Sequence, residues 1–303
     1  MLSPEHRDKL DIGTRRRNLH ADRFVRGFAP ITRTYSYPFY AGEKPEKVNL
    51  PPYVRNKNEM PRTVELTVAF LEEWNKLLPV DNYVFEYHLM WDHYLDPGYY
   101  TCAKLLHTDA ANLDNYGLNG FVSCQEQRIA YPTALPNYAL ARALWDKNSD
   151  FSEICEEYYS AAFGEHGKAV DDYLANISEL FDPMFMRNEK PEAHATALER
   201  CDKILALVDA FEASHIVPNE TLNSSWKYLA YHANHCRLYA KLIRCYALKD
   251  EPGIAEYTKR FSTYIFENEP ELNTVFDSCM FDEVYQRWIK RVFANVNVNT
   301  IDF

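Results

Sequence analysis

The chain lacks most of the signatures by which a sequence declares its chemistry. None of its 303 residues sits in an apolar run close to the ~20 residues that a bilayer-spanning helix needs, so no membrane span is expected. It has no G-x-G-x-x-G, no P-loop and no G-x-S-x-G, which leaves nucleotide binding and serine-hydrolase chemistry without support. Basic charge is short: 33 Lys and Arg face 44 Asp and Glu, a net charge of −11. A general nucleic-acid binder needs a basic face, so that class is set aside. The basic run Arg15, Arg16, Arg17 reads as a solvated loop. Seven cysteines, at 102, 124, 155, 201, 236, 245 and 279, include no C-x-x-C pair, so no zinc ribbon or thioredoxin motif is present. Their odd number predicts buried free thiols and favours a reducing compartment. The opening MLSPEHRDKLDIGTRRR has no apolar stretch of the signal-peptide kind. Internal repeats and low-complexity segments are absent too.

Hydrophobic residues make up 47% of the chain, enough for a packed core, and aromatics 15%, with 22 Tyr and 17 Phe. Tyrosine surfaces combine ring stacking with hydrogen bonding and suit carbohydrate or protein partners, although a Tyr-rich helical core reads equally well. Residues 27–34 read as a strand, interrupted by Pro30. A long polar, proline-bearing loop follows, and Pro61 opens a helix over 62–78. Next come a strand at 83–87, a helix over 99–116 that breaks near Asp109 and ends on Gly117, and a strand at 120–124. Strand, helix, strand, helix, strand is the order that parallel neighbours require. Beyond Pro136 the periodicity is helical: 135–145, a helix capped by Asp150 with Glu153 completing a capping box, 168–181, 191–213, a long helix over 221–248 capped by Thr221, 254–268 and 281–293. The expected architecture is α/β plus all-α, divided into residues 1–147, a partial barrel-like β/α region, and 148–303, a helical bundle. The sequons at Asn176, Asn219 and Asn223 matter only in a glycosylating pathway.

The second and third strands each run into a loop crowded with polar and aromatic groups. The first loop offers His88, Trp91, Asp92 and His93, the second Gln125, Glu126, Gln127, Arg128 and Tyr131. Chemistry in parallel α/β folds gathers at the carboxyl ends of strands, so the two loops are expected to wall one sugar-sized cleft. Glycoside hydrolysis generally needs two carboxyl groups, and Asp92 and Glu126 are the candidates. Glu86 is a weaker one, which strand alternation could turn toward a barrel interior. The competing reading has Asp92 and Glu126 pairing with Arg128 or His93 to fix the loops. His88, Trp91 and His93 suit a subsite wall. Gln125, Gln127 and Arg128 could read hydroxyls or a uronate carboxylate, Arg128 bidentately, or Arg128 could be a structural clamp. No ligand spacing is matched by these histidines, and His232 and His235 lack the Glu of H-E-x-x-H. No metal and no cofactor are therefore expected, and nothing fixes an oligomeric state.

The text EYHLMWDHYLDPG, then GLNGFVSCQEQRIAYPTALPNYALARALWD, then DFSEICEEYYSAAFGEHG and LFDP resembles an uncharacterised bacterial domain-of-unknown-function family, whose members often follow an α-glucuronidase-type N-terminal domain. The segment FAPITRTYSYP resembles the strand that precedes these two. The likeness covers most of residues 24–185. It implies a glycoside-hydrolase-like (β/α)₈ barrel with a C-terminal helical region, of which this chain matches the last strands and the trailing helices. It further implies an oligosaccharide partner that could carry a uronic acid, no turnover by this chain alone, and a parent protein that could be secreted or periplasmic. The alternative is a non-enzymatic module that binds carbohydrate or protein.

Overall fold

The computed structural model describes residues 23–52, 54–57, 59–190, 194–214, 224–289 and 292. The arginine run, the sequons at Asn219 and Asn223, and the helix starts expected at Pro191 and Thr221 lie outside the described residues.

Three strands, β1 (Arg26–Phe28), β2 (Asn82–Leu89) and β3 (Gly120–Gln125), form a parallel sheet in the order β1–β2–β3. Helices α1 (Val64–Leu77) and α2 (Tyr100–Ala111) make the two crossovers. β1 is far shorter than its apolar stretch suggested. Pro30 has no N–H to give a ladder, and the chain turns there, with Arg33 N donating to Pro30 O at 3.1 Å. Thr63 caps α1, its side chain accepting from Leu66 N at 3.2 Å. α2 stops at Ala111, and a 3₁₀ turn over Leu113–Tyr116 carries the chain to Gly117, at φ 65°. That left-handed position costs glycine nothing.

Alternation along β2 sorts the sheet into two unlike faces. Asn82, Val84, Glu86 and His88 are buried, whereas Tyr83, Phe85 and Tyr87 are half-buried. Val84 joins Phe28, Val68, Leu71 and Tyr116 in one apolar cluster beneath α1. Glu86 therefore belongs to the helix-covered face, not to the face that would line a barrel. The opposite face keeps its aromatic residues half-buried and leaves Val122 of β3 41% exposed.

Beyond β3 the described residues are mainly helical: α3 (Leu135–Trp145), α4 (Phe151–Phe163), α5 (Gly167–Phe181), α6 (Pro183–Met186), α7 (His194–Ser214), α8 (Ser224–Leu248), α9 (Glu251–Glu267), α10 (Glu269–Leu272) and α11 (Ser278–Val284), which passes into a π-helical turn over Tyr285–Ile289. The last of these begins earlier than expected because Asp277 caps it, accepting from Met280 N at 3.0 Å. Asp150 caps α4 by accepting from the N–H groups of Ser152 and Glu153. The largest apolar cluster joins Tyr94, Leu95, Tyr131 and Leu135 to residues of α4, α5, α7, α8 and α9, so side chains on both sides of position 147 share it. Five of the seven cysteines are buried free thiols, while Cys124 is half-buried and Cys279 exposed.

The turn between β2 and α2 is locked onto α5. Gly98 lies so close that an added Cβ would sit 2.6 Å from Ser178 N, and Ser178 Oγ accepts from Tyr100 N at 3.1 Å. Ser178 also donates to the buried Asp96, whose second oxygen accepts from Cys102 N at 2.8 Å. Burial raises the Asp96 carboxyl above its ordinary value, and these two bonds oppose the shift. Among the described residues no helix is long and apolar enough to cross a membrane.

Candidate functional site

A cleft of 1210 Å³ opens at the carboxyl ends of β1 and β2. Its walls are residues of the segment 31–37 after β1, the start of α1 at 62–65, Trp91 and Asp92 after β2, and residues of 184–189 beyond α5. Parallel strands aim their carboxyl ends one way, so successive loops meet at one rim. Trp91 is half-buried, and its ring stacks on Tyr87 with centroids 5.7 Å apart and planes 28° from parallel. Trp91 borders the cleft, together with Tyr37, which is 53% exposed.

The fixed charge at this rim is Asp92, held by Arg187. Arg187 Nε donates to Asp92 Oδ1 at 2.7 Å and Nη2 donates to Oδ2, a bidentate fork between two buried side chains. Burial alone would lower the Arg187 guanidinium, but the charge and hydrogen bonds of Asp92 outweigh it and raise the group above its ordinary value. Arg187 Nη1 reaches Ser36 Oγ at 3.4 Å. Glu189 Oε2 accepts from Thr34 Oγ1 at 2.8 Å and from Ser36 Oγ at 2.5 Å. The segments 34–36 and 187–189 are thereby tied to one another along the cleft wall.

Behind the wall lies a second buried network centred on Arg33. Its Nε is 3.3 Å from Glu86 Oε1, its Nη2 donates to Asp109 Oδ2, and its Nη1 donates to Tyr37 O at 3.2 Å. The guanidinium also lies over the rings of Phe39 and Tyr35, 4.0 and 4.5 Å from their centroids. His88 sits between the two acids, Nε2 3.0 Å from Asp109 Oδ2 and Nδ1 3.6 Å from Glu86 Oε2. Asp109 Oδ1 accepts from Phe39 N at 2.7 Å, and Tyr35 Oη donates to Glu86 at 3.1 Å. Burial pushes Asp109 up, but Arg33 and the bonds from His88 and Phe39 hold its carboxyl below the usual range. Burial pushes the Tyr35 phenol well up, with Glu86 adding to it. The network fixes the segment 33–39, and with it the part of the cleft that follows β1.

Of the residues expected to share one cleft, Trp91 and Asp92 line it, and His88 supports it from behind. The second loop turns away. Arg128 is held by Glu269 at 2.7 Å and Asp277 at 2.9 Å, Ala130 N donates to Val275 O at 2.9 Å, and Ile129 bridges to Phe276. Gln125, Glu126, Gln127 and Arg128 are not among the lining residues. Glu126 is half-buried, and burial first, then Asp277 and Glu283, raises its carboxyl against the pull of Arg128. His93 is enclosed between Tyr94 and Tyr99, and burial lowers its pKa to about 3. Tyr131 is buried against Phe276, His232 and His235, so neither it nor His93 forms a wall. Asp92 pairs with Arg187, not with Arg128 or His93. His232 Nε2 donates to Pro97 O, 2.7 Å away, as a core histidine does.

Sequence reasoning missed Arg33, Arg187 and Asp109. A signal existed for Arg187, an arginine placed directly after the apolar PMFM of α6. Arg33 was hidden by its place in an apparent strand. Among the described residues no group of three or more His, Cys, Asp or Glu is gathered in a way that could hold a metal ion. Comparison of the chain with protein-family models, with curated proteins and with solved structures finds no match.

Proposed function

We propose that the cleft binds a saccharide, and that the chain is the carbohydrate-active C-terminal part of a glycoside-hydrolase-like protein resembling α-glucuronidase-type enzymes. In this reading β1, β2 and β3 are the last strands of a (β/α)₈ barrel, and the helices after position 147 are its trailing bundle. The parallel order supports it, as does a sheet with helices on one face and half-buried aromatics on the other. The observation that carries the saccharide reading is the company Trp91 keeps. A ring backed by Tyr87 borders a cleft whose polar groups are already fixed by Arg187 and Glu189. A flat apolar surface beside pre-oriented hydrogen-bonding groups is what a pyranose ring requires.

Both oxygens of Asp92 are engaged by Arg187, and Glu126 lies outside the lining. Asp92 then orients the ligand and does not transfer protons, and this chain binds without turnover. The same observation favours, as the second reading, a saccharide-binding module with no catalytic role. Calorimetric titration with xylo-oligosaccharides tests the site. Trp91→Ala is expected to weaken binding about tenfold, or about 1.4 kcal/mol. Unchanged affinity in that variant, or no heat with the wild-type chain, contradicts the proposal. Release of reducing sugar by the purified chain would displace the non-catalytic reading.

A further inference from the structure

We infer that the cleft receives the neutral, hydroxyl-bearing part of its saccharide and disfavours a uronate. This rests on the saccharide reading above and specifies the ligand class. Proteins usually grip a carboxylate with a guanidinium that can offer two parallel N–H groups. Neither inner guanidinium of this cleft has such a pair to give. Arg187 spends Nε and Nη2 on Asp92 and directs Nη1 at Ser36 Oγ. Arg33 spends Nη2 on Asp109 and Nη1 on Tyr37 O, with Nε against Glu86. Drawing either arginine to a ligand would strand a buried carboxylate without its counter-charge, the costliest way to break such a pair.

The remaining charges point the same way. Glu189 is held against the wall by Thr34 and Ser36 with its negative charge at the rim. Glu65, in the first turn of α1, adds a second carboxylate to the lining. Arg62 lies on the exposed rim, where water and salt weaken its attraction for an anion. The chain as a whole carries −11. What the carboxylates of Glu189 and Glu65 do well is accept hydrogen bonds from sugar hydroxyls. The uronate expected from the sequence is therefore turned outward from this cleft, or belongs to a ligand it does not bind.

The test compares two ligands on the whole chain by calorimetry: a linear neutral xylo-oligosaccharide, and the same backbone bearing one glucuronate branch. The neutral ligand should bind more tightly by about fivefold, the size of one partly exposed charge interaction. That gap should narrow when ionic strength is raised, and also in Glu189→Gln, whose melting temperature is checked against the wild type. Equal or tighter binding of the glucuronate-bearing ligand overturns the inference and leaves the saccharide site standing. A gap unmoved by both salt and Glu189→Gln overturns its electrostatic basis. Binding of neither ligand removes the saccharide reading itself, and the inference with it.

Discussion

At the scale of single residues the molecule is organised by buried charges that find partners far along the chain. Asp92 and Arg187 are 95 positions apart, and Arg33 and Asp109 are 76 apart. No local pattern announces such pairs, because each exists only after the loops have met. Sequence patterning identified Asp92 as a group of consequence but could not name what holds it. Removing one partner of a buried pair leaves the other charge uncompensated, so Arg187→Ala should destabilise the fold by about 3–5 kcal/mol in urea unfolding. Arg187→Lys should recover little of this, since an ammonium cannot make the fork. A loss below about 1 kcal/mol would mean that the pair is solvated in solution. Three histidines make a second prediction. Burial lowers His93 and His235 to about 3 and His232 to about 4. Their unfolded value is about 6.5, so the unfolded chain takes up protons first as pH falls. The stability they contribute is full above that pH and is lost progressively as pH falls toward 3–4. At pH 5 each should cost about 2 kcal/mol relative to pH 7. His93→Phe should remove its share of the slope between pH 7 and 5, and an unchanged slope in that variant would contradict the assignment.

Secondary-structure elements were far more legible than sites. β2, β3, α1, α4 and α5 lie within a few residues of their predicted spans, because capping side chains, prolines and apolar spacing act within a few residues. β1 was overread, since its apolar residues continue past Pro30 although its hydrogen bonds do not. The shared cleft was half legible. Parallel strands do bring the ends of β2 and β3 to one side, but the loop after β3 is captured by α10 and the start of α11 through Arg128, 141 positions from Glu269. The contact of greatest consequence between elements is the close approach of Gly98 to α5. A methyl there would collide with Ser178 N and displace the turn that carries Asp96. Gly98→Ala should therefore destabilise by about 1–3 kcal/mol, the usual cost of overpacking. Wild-type stability in that variant would show that the turn and α5 can separate freely.

For the whole molecule, the unequal faces of the sheet matter most. Parallel sheets are ordinarily covered on both sides. Here α1 covers the face carrying Val84 and Phe28, while Tyr83, Phe85, Tyr87 and Val122 are only partly shielded on the other. The same asymmetry places a cleft where β1 and β2 end, with Trp91 at the border between the aromatic face and the polar rim. In the proposed function this cleft, and not the loop after β3, receives the saccharide. Hydrogen–deuterium exchange of the intact chain with and without a neutral xylo-oligosaccharide measures this directly. Slower exchange in residues 31–37 and 184–189, with 125–131 unchanged, is the predicted result. Protection confined to 125–131, or none in either region at saturating ligand, would contradict it.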